Sequence, residues 1–155
     1  MKVIFGSDHA GVALKLALME HLAKKGYDCE DIGSYDPDDR DDDYPVYGRK
    51  CAEAVAAGEG ERGVLICGTG LGMALTANKV PGIRACVCSE PYTAKMARAH
   101  NNCNILCMGA RVVGRDLALM MLDTFFDTEF EGGRHAARVA MIQETEAAYT
   151  GQKTD

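Results

Sequence analysis

The stretch VLICGTGLGMALTANK, residues 64–79, decides how this chain is read. An apolar run ends in Cys67, Gly68, Gly70 and Gly72 follow within five positions, and a helix-like segment comes next. A buried strand that passes through glycines into a helix is half of a β-α-β unit, the building block of parallel sheets. Glycines let the backbone turn tightly there, and amides at the helix start converge on negative charge. A thiol also stands at the mouth of this loop.

Outward from that stretch, strand and helix signals alternate along all 155 residues. KVIF (2–5) is a short β-rich run closed by Gly6. In GVALKLALMEHLAKKG (11–26), Leu14, Leu18 and Leu22 form a helical row, and Lys24, Lys25 and Gly26 suit the C-terminal end. YDCEDIG (27–33) is a weaker, edge-like strand, and GVLIC (63–67), GIRACVCS (82–89) and CNILCMGA (103–110) are further strands. Helices are predicted in PVYGRKCAEAVAAGEG (45–60), GMALTANK (72–79), PYTAKMARAH (91–100), GRDLALMMLDTFFD (114–127) and GGRHAARVAMIQETEAAY (132–149).

Five β-α units predict an open parallel sheet with helices on both faces. Ligands of such sheets bind beyond the carboxyl ends of the strands, where the strand order reverses. The positions to search therefore follow Phe5, Ile32, Cys67, Cys88 and Met108. One domain over residues 1–148 and a polar tail over 149–155 are expected.

The composition, 47% hydrophobic and 26% charged, is that of an ordinary globular domain. A net charge of −6 argues against non-specific nucleic-acid binding, so an anionic substrate needs a local basic pocket. MKVIFGSDHAG lacks the features of a signal peptide, and no apolar run reaches membrane-spanning length. Seven cysteines (29, 51, 67, 86, 88, 103, 107) with no CxxC pair read as reduced thiols of a cytoplasmic protein.

The glycine loop admits three readings. It could be a plain strand-to-helix turn, a phosphate or dinucleotide cradle, or an oxyanion hole for charge that develops during reaction. Glu90 lies near the spacing of a ribose-binding acid, but G-T-G-L-G is not GxGxxG. Cys67 favours the oxyanion reading, because a thiolate near a helix N-terminus serves as nucleophile or base. Five of the other cysteines lie inside strands or helices and read as packing thiols.

SDHAG sets Asp8 and His9 on the same rim as Cys67, as site residues or as a helix cap and a surface imidazole. AHNN sets His100 and Asn101 on the opposite rim, able to join that pocket only from a neighbouring subunit or through a long turn. In GGRHAAR, Arg134 and Arg138 share a helical face suited to phosphate, or form a solvated basic face; Arg111 is a further candidate. DPDDRDDDYP (36–45) fails as a calcium loop, with Tyr44 sixth and Lys50 twelfth, and is expected to be a solvated acidic loop. A zinc site from His100, Cys103 and Cys107 lacks a fourth ligand, so no metal is expected.

Taken together, GSDHAG, YP at 44–45, ICGTGLGMALTANKVPGIRA, ARAHNN, GARVVG and GGRHAARV make the chain resemble the type B ribose-5-phosphate isomerases. Their relatives, the galactose- and allose-6-phosphate isomerases, share the pattern. The resemblance covers residues 1–148. It implies a Rossmann-like three-layer αβα sandwich with a five-stranded parallel sheet and a C-terminal helix. It also implies interconversion of D-ribose 5-phosphate and D-ribulose 5-phosphate through an enediolate, without cofactor or metal.

By the same resemblance Cys67 is the proton-transferring base, and backbone amides across Gly68, Gly70, Leu71 and Gly72 hold the enediolate oxygen. Thr69 orients the substrate, and His100 opens the ring with help from Asp8. His9, Arg134, Arg138 and Arg111 bind phosphate, while Asn101 and Tyr44 line the pocket. The site is shared between subunits of a homodimer or tetramer. Some members use a glutamate beyond the loop, but residues 71–77 contain no acid, which leaves the proton to Cys67. The acidic loop at 36–43 is longer than the family's usual connection, which leaves a six-carbon aldose 6-phosphate as an alternative substrate. A non-catalytic phosphosugar sensor and a nucleotide-linked oxidoreductase compete with the isomerase reading. Intact Cys67, His100 and paired arginines favour catalysis, since a binder needs no base.

Overall fold

The apolar runs become the strands of one parallel sheet in the computed structural model, which describes residues 1–150. The strands are β1 (Lys2–Ser7), β2 (Asp28–Asp31), β3 (Arg62–Cys67), β4 (Ala85–Val87) and β5 (Ile105–Gly109), in the order β2-β1-β3-β5-β4. A 3-10 turn (His9–Gly11) leads into α1 (Val12–Lys24). Then come α2 (Tyr44–Ala56), α3 (Leu71–Ala77), α4 (Pro91–Ala99), α5 (Arg115–Asp127) and α6 (Arg134–Tyr149). The expected domain end at 148 falls one residue inside α6, and residues 151–155 of the predicted tail lie outside the described residues.

Burial follows the residue pattern. Every position of β3 and β5 is buried, as expected of central strands covered on both faces, whereas β2 alternates between exposed and half-buried and forms an edge. Alternate side chains feed two cores. Phe5, Ile66 and Leu106 pack with Leu18, Leu22 and Phe125 beneath α1, α4 and α5. Ile4, Leu65 and Cys107 pack with Cys51 and Met73 beneath α2 and α3. Burial pushes the Cys51 thiol up to about 12, so it packs as a small apolar group.

β1 pairs with β2 on one side and with β3 on the other, so the strand order reverses between β1 and β3. Ser7 and Cys67, the last residues of those strands, flank the crevice where ligands of open parallel sheets bind.

One buried charge pins the chain beside this crevice. Lys15 is fully buried in α1, and its Nζ donates to Asp31 Oδ1 and to the Ser34 carbonyl, each at 2.6 Å. Asp31 Oδ1 also accepts the Gly33 amide at 3.0 Å, so the start of the acidic loop is tied to α1. Removing one partner of a buried pair strands the other charge. Asp31→Ala is therefore expected to lower stability in urea denaturation by about 3 kcal/mol, and Lys15→Met, which removes the buried charge itself, by distinctly less.

Candidate active site

Cys67 closes β3 and is buried. The Gly70 amide donates to its Sγ at 3.1 Å, which aims the sulfur at the loop. Gly70 has φ +81°, and a Cβ there would lie 2.9 Å from the Met108 backbone carbon, so both conformation and space demand glycine. Gly72 leaves its Cα face to the Tyr44 ring, which reaches over from the start of α2. Arg111 donates its amide to the Gly68 carbonyl at 3.0 Å, and its guanidinium lies over Gly68. The Leu71 amide donates to Thr69 Oγ1 at 3.4 Å. Cys67, Thr69, the three glycines, Leu71, Tyr44 and Arg111 are thus one neighbourhood.

Asp8 and His9 join it from β1. The Asp8 amide donates to the Ile66 carbonyl at 3.2 Å and keeps the segment against β3. The Asp8 carboxyl is buried, and its Oδ1 has no hydrogen-bond partner among the described residues. Burial raises its pKa above the usual carboxylate value; His9 opposes that rise and Asp42 adds to it.

The acidic loop departs from expectation at one residue. Asp36, Asp38, Asp39, Asp41 and Asp43 are exposed, as a solvated run should be. Asp42 is not: its side chain is 1% exposed, and its Oδ1 lies 2.6 Å from His9 Nδ1. Asp36 and Asp39 accept the amides of Asp38 and Asp41 at 2.8 and 3.0 Å, local turns that fold the loop back and deliver Asp42 to the crevice.

A second cluster occupies the opposite rim. His100 follows α4 and stacks on His135 with ring centroids 4.0 Å apart and planes 4° from parallel. Both Nε2 atoms face Glu131 Oε2, at 3.7 and 3.6 Å, and Arg134 Nε donates to His135 Nε2 at 3.4 Å. His100, Glu131 and His135 set potential ligand atoms within 4.8 Å of one another, the one such group among the described residues. Desolvation and the nearby His100 and Arg134 lower the His135 pKa. Arg84 Nε holds the Asn101 carbonyl at 3.2 Å, and Arg134 and Arg138 project from the start of α6.

One chain therefore gathers Asp8, His9, Tyr44, Cys67, the loop and Arg111 at one rim, and His100, Asn101, Arg134 and Arg138 at the other. Strand rise is ~3.3 Å per residue, so the rims of a six-residue strand such as β3 are about 17 Å apart. A cavity of about 1070 Å³ runs along β4 and α6 and does not include Cys67.

Three groups of these clusters carry no clear signal in the sequence or a weak one: Asp42, Glu131 and His135. His135 has the weak signal, since it stands between two candidate arginines; nothing in sequence separates Asp42 from its neighbours. The structure sets two competing readings aside. Glu90 caps α4, accepting the Tyr92 and Thr93 amides at 2.6 and 2.7 Å, so its carboxylate is already engaged as a helix cap. Cys103 and Cys107 belong to the cores on opposite faces of the sheet and cannot converge on one zinc with His100.

The sequence profile of the Ribose/Galactose Isomerase family matches residues 3–142. Ribose-5-phosphate isomerase B of Escherichia coli (strain K12) is 48% identical over 141 residues, 91% of this chain and 93% of that protein. D-erythrulose-4-phosphate isomerase of Pectobacterium atrosepticum is 41% identical over 92% of this chain and 93% of its own length. Among solved structures, ribose-5-phosphate isomerase B of Clostridium thermocellum superposes with a TM-score of 0.94 at 53% identity, covering 97% of this chain and all of that one.

The Asp8 environment sets a pH dependence of stability. Its folded pKa lies above the unfolded value of 3.8, so between those two values the folded state retains a proton that the unfolded state has released. That contribution to stability falls as pH rises through the interval. Asp8→Asn is expected to gain stability relative to the parent as pH is raised from about 4, in urea denaturation followed across pH.

Proposed function

The chain belongs to the ribose/galactose isomerase family, and from that membership we infer that it is an aldose-ketose isomerase interconverting D-ribose 5-phosphate and D-ribulose 5-phosphate. The observation that carries the atomic reading is the Cys67 sulfur, aimed at the glycine loop by the Gly70 amide at 3.1 Å.

In the open-chain sugar, the Cys67 thiolate removes the proton on C2. The C–H electrons form the C1–C2 double bond, and the carbonyl π electrons move onto O1. The resulting enediolate oxygen is held by amides of the segment Gly68 to Gly72. Cys67 then returns its proton to C1, while the O2 hydroxyl proton passes to O1, which leaves O1 a hydroxyl and O2 the ketone oxygen. C1 is reduced as C2 is oxidised, so the reaction balances without an external redox carrier. A positioned base contributes typically 10²–10⁴-fold in rate, and one oxyanion donor about 3 kcal/mol.

The remaining roles are divided between two copies of the chain. Asp8 and the second copy's His100 open the ring, and Thr69 orients the substrate. His9 and Arg111 of one copy and Arg134 and Arg138 of the other hold the phosphate, with Tyr44 and Asn101 lining the pocket. Two features support sharing. The rims are about 17 Å apart, farther than a pentose phosphate extends. Unpartnered apolar side chains also stand beside both halves, with Leu71 and Leu75 on α3 58% and 67% exposed and Met141 on α6 64% exposed. The assembly we propose is a homodimer, or a tetramer built from it. A cytoplasmic location agrees with seven unpaired thiols, and no helix among the described residues is long and apolar enough to cross a membrane.

Replacing the base tests the mechanism. Cys67→Ala should lower kcat/KM for ribose 5-phosphate at least a hundredfold with an unchanged melting temperature, and undiminished turnover would overturn the assignment. A panel of four-, five- and six-carbon aldose phosphates should give its highest kcat/KM with the five-carbon substrate. Sharing has its own test. Cys67→Ala and His100→Ala chains, each nearly inactive, should recover activity when unfolded together and refolded as mixed oligomers.

A further inference from the structure

The mechanism leaves Asp42 without a task, yet it is the one residue of the acidic run that the fold buries. Its Oδ1 is bound to His9 Nδ1 at 2.6 Å. Its Oδ2 is buried with no partner among the described residues, and Asp8 Oδ1 and Ser7 Oγ at the end of β1 share that condition. Asp8 also feels the Asp42 charge, so the two carboxylates are neighbours. Burying an anion beside another anion costs stability, as does leaving a buried oxygen unpaired. A loop built for solubility alone would turn Asp42 outward with the other aspartates.

We propose that Asp42 is a positioning residue for the substrate's phosphomonoester, acting through His9. This rests on the isomerase reading, in which His9 binds phosphate. An imidazole has two nitrogens, and a carboxylate on Nδ1 fixes both the ring plane and the role left to Nε2. With Nδ1–H donated to Asp42, Nε2 is the only nitrogen that remains for the phosphate. When the imidazolium donates through Nε2–H to a phosphate oxygen, Asp42 balances its charge from behind. The arrangement converts a freely rotating side chain into a directed donor, and directed, charge-assisted hydrogen bonds are the strong ones. It also explains how an acidic loop can lie beside an anion-binding site. The buried carboxylate is screened from the phosphate by the imidazolium it supports, and the exposed aspartates point to water.

The experiment measures KM and kcat for ribose 5-phosphate together with the competitive inhibition constant of inorganic phosphate, which reports on the phosphate subsite alone. Asp42→Ala is expected to raise KM and the phosphate inhibition constant together by about tenfold, with kcat falling by less. Asp42→Asn keeps an acceptor for Nδ1 without the charge and is expected to lie between parent and Asp42→Ala. Should Asp42→Ala fail to fold, Asp42→Asn carries the test. On a His9→Ala background, the Asp42 substitution should add nothing further.

Three results would overturn the proposal: a phosphate constant at the parent value in a folded Asp42 variant, a loss confined to kcat, or additive effects in the double variant. A parent enzyme inactive on ribose 5-phosphate would instead sink the isomerase reading. The Asp42 proposal would then be decided by phosphate affinity from calorimetry, in which weaker binding by Asp42→Asn supports it and equal binding defeats it.

Discussion

Between β3 and α3 there is room for backbone and little else. The chain leaves Cys67, lies directly on the end of β5 and enters a helix within three residues. A Cβ on Gly109 would sit 2.7 Å from the Thr69 Cα, and one on Gly70 would sit 2.9 Å from the Met108 carbonyl carbon, so loop and strand are in contact main chain to main chain. That contact sets the position of the Gly70 amide, and the amide in turn aims the Cys67 sulfur. It also leaves Gly72 open to Tyr44 and Gly68 open to Arg111, which brings α2 and the segment after β5 to the same place. A side chain added at this contact would lift the loop from β5, and a displacement of about 1 Å is enough to cost a hundredfold in a reaction that depends on alignment.

The electrostatics of the crevice run against those of a structure built for stability. Ser7 Oγ, Asp8 Oδ1 and Asp42 Oδ2 are all buried near the end of β1 with no hydrogen-bond partner among the described residues. An unsatisfied buried group costs about 1–3 kcal/mol, and a domain's whole stability is about 5–15 kcal/mol, so three of them in one place are a large concession. Lys15 lies nearby but is committed to Asp31 and the Ser34 carbonyl. Unpaired acceptors beside a thiol and a histidine are the complement of a polyhydroxylated substrate. The net charge of −6 says nothing of this, because it averages an exposed acidic loop with a crevice in which each charge has an individual neighbour.

The fold is legible in the sequence because its signals are local. Apolar periodicity, glycine placement and strict alternation identify all five strands and six helices, with errors at the ends where helix caps and fraying decide. GIRACVCS keeps only Ala85–Val87 as strand because Arg84 Nε binds the carbonyls of Asn101 and Asn102, which draws the start of the segment into the turn before β5. The rim residues are legible too, since strand direction alone places Asp8, Cys67 and Arg111 together. Asp42 is not. Six aspartates in eight positions look alike in sequence, and only the fold shows which one meets His9. Glu131 is hidden for the same reason: its two histidine neighbours come from different segments.

The opposite-rim histidine carries the argument for the second copy proposed above. A long turn is the alternative route from His100 to Cys67, and the chain forecloses it. Only residues 101–104 separate His100 from β5, and each end of that turn is tied. Arg98 donates to Asn102 Oδ1 at 2.9 Å, and Asn104 bridges the Arg84 amide and the Gly82 carbonyl at 2.8 and 2.9 Å. Four residues held in this way cannot cross a sheet about 17 Å deep while also keeping those bonds. If His100 acts on the substrate held by Cys67, it must arrive from another molecule. Association is then part of the chemistry, because a separated subunit would keep Cys67 and Asp8 together but lack the ring-opening histidine of a second copy.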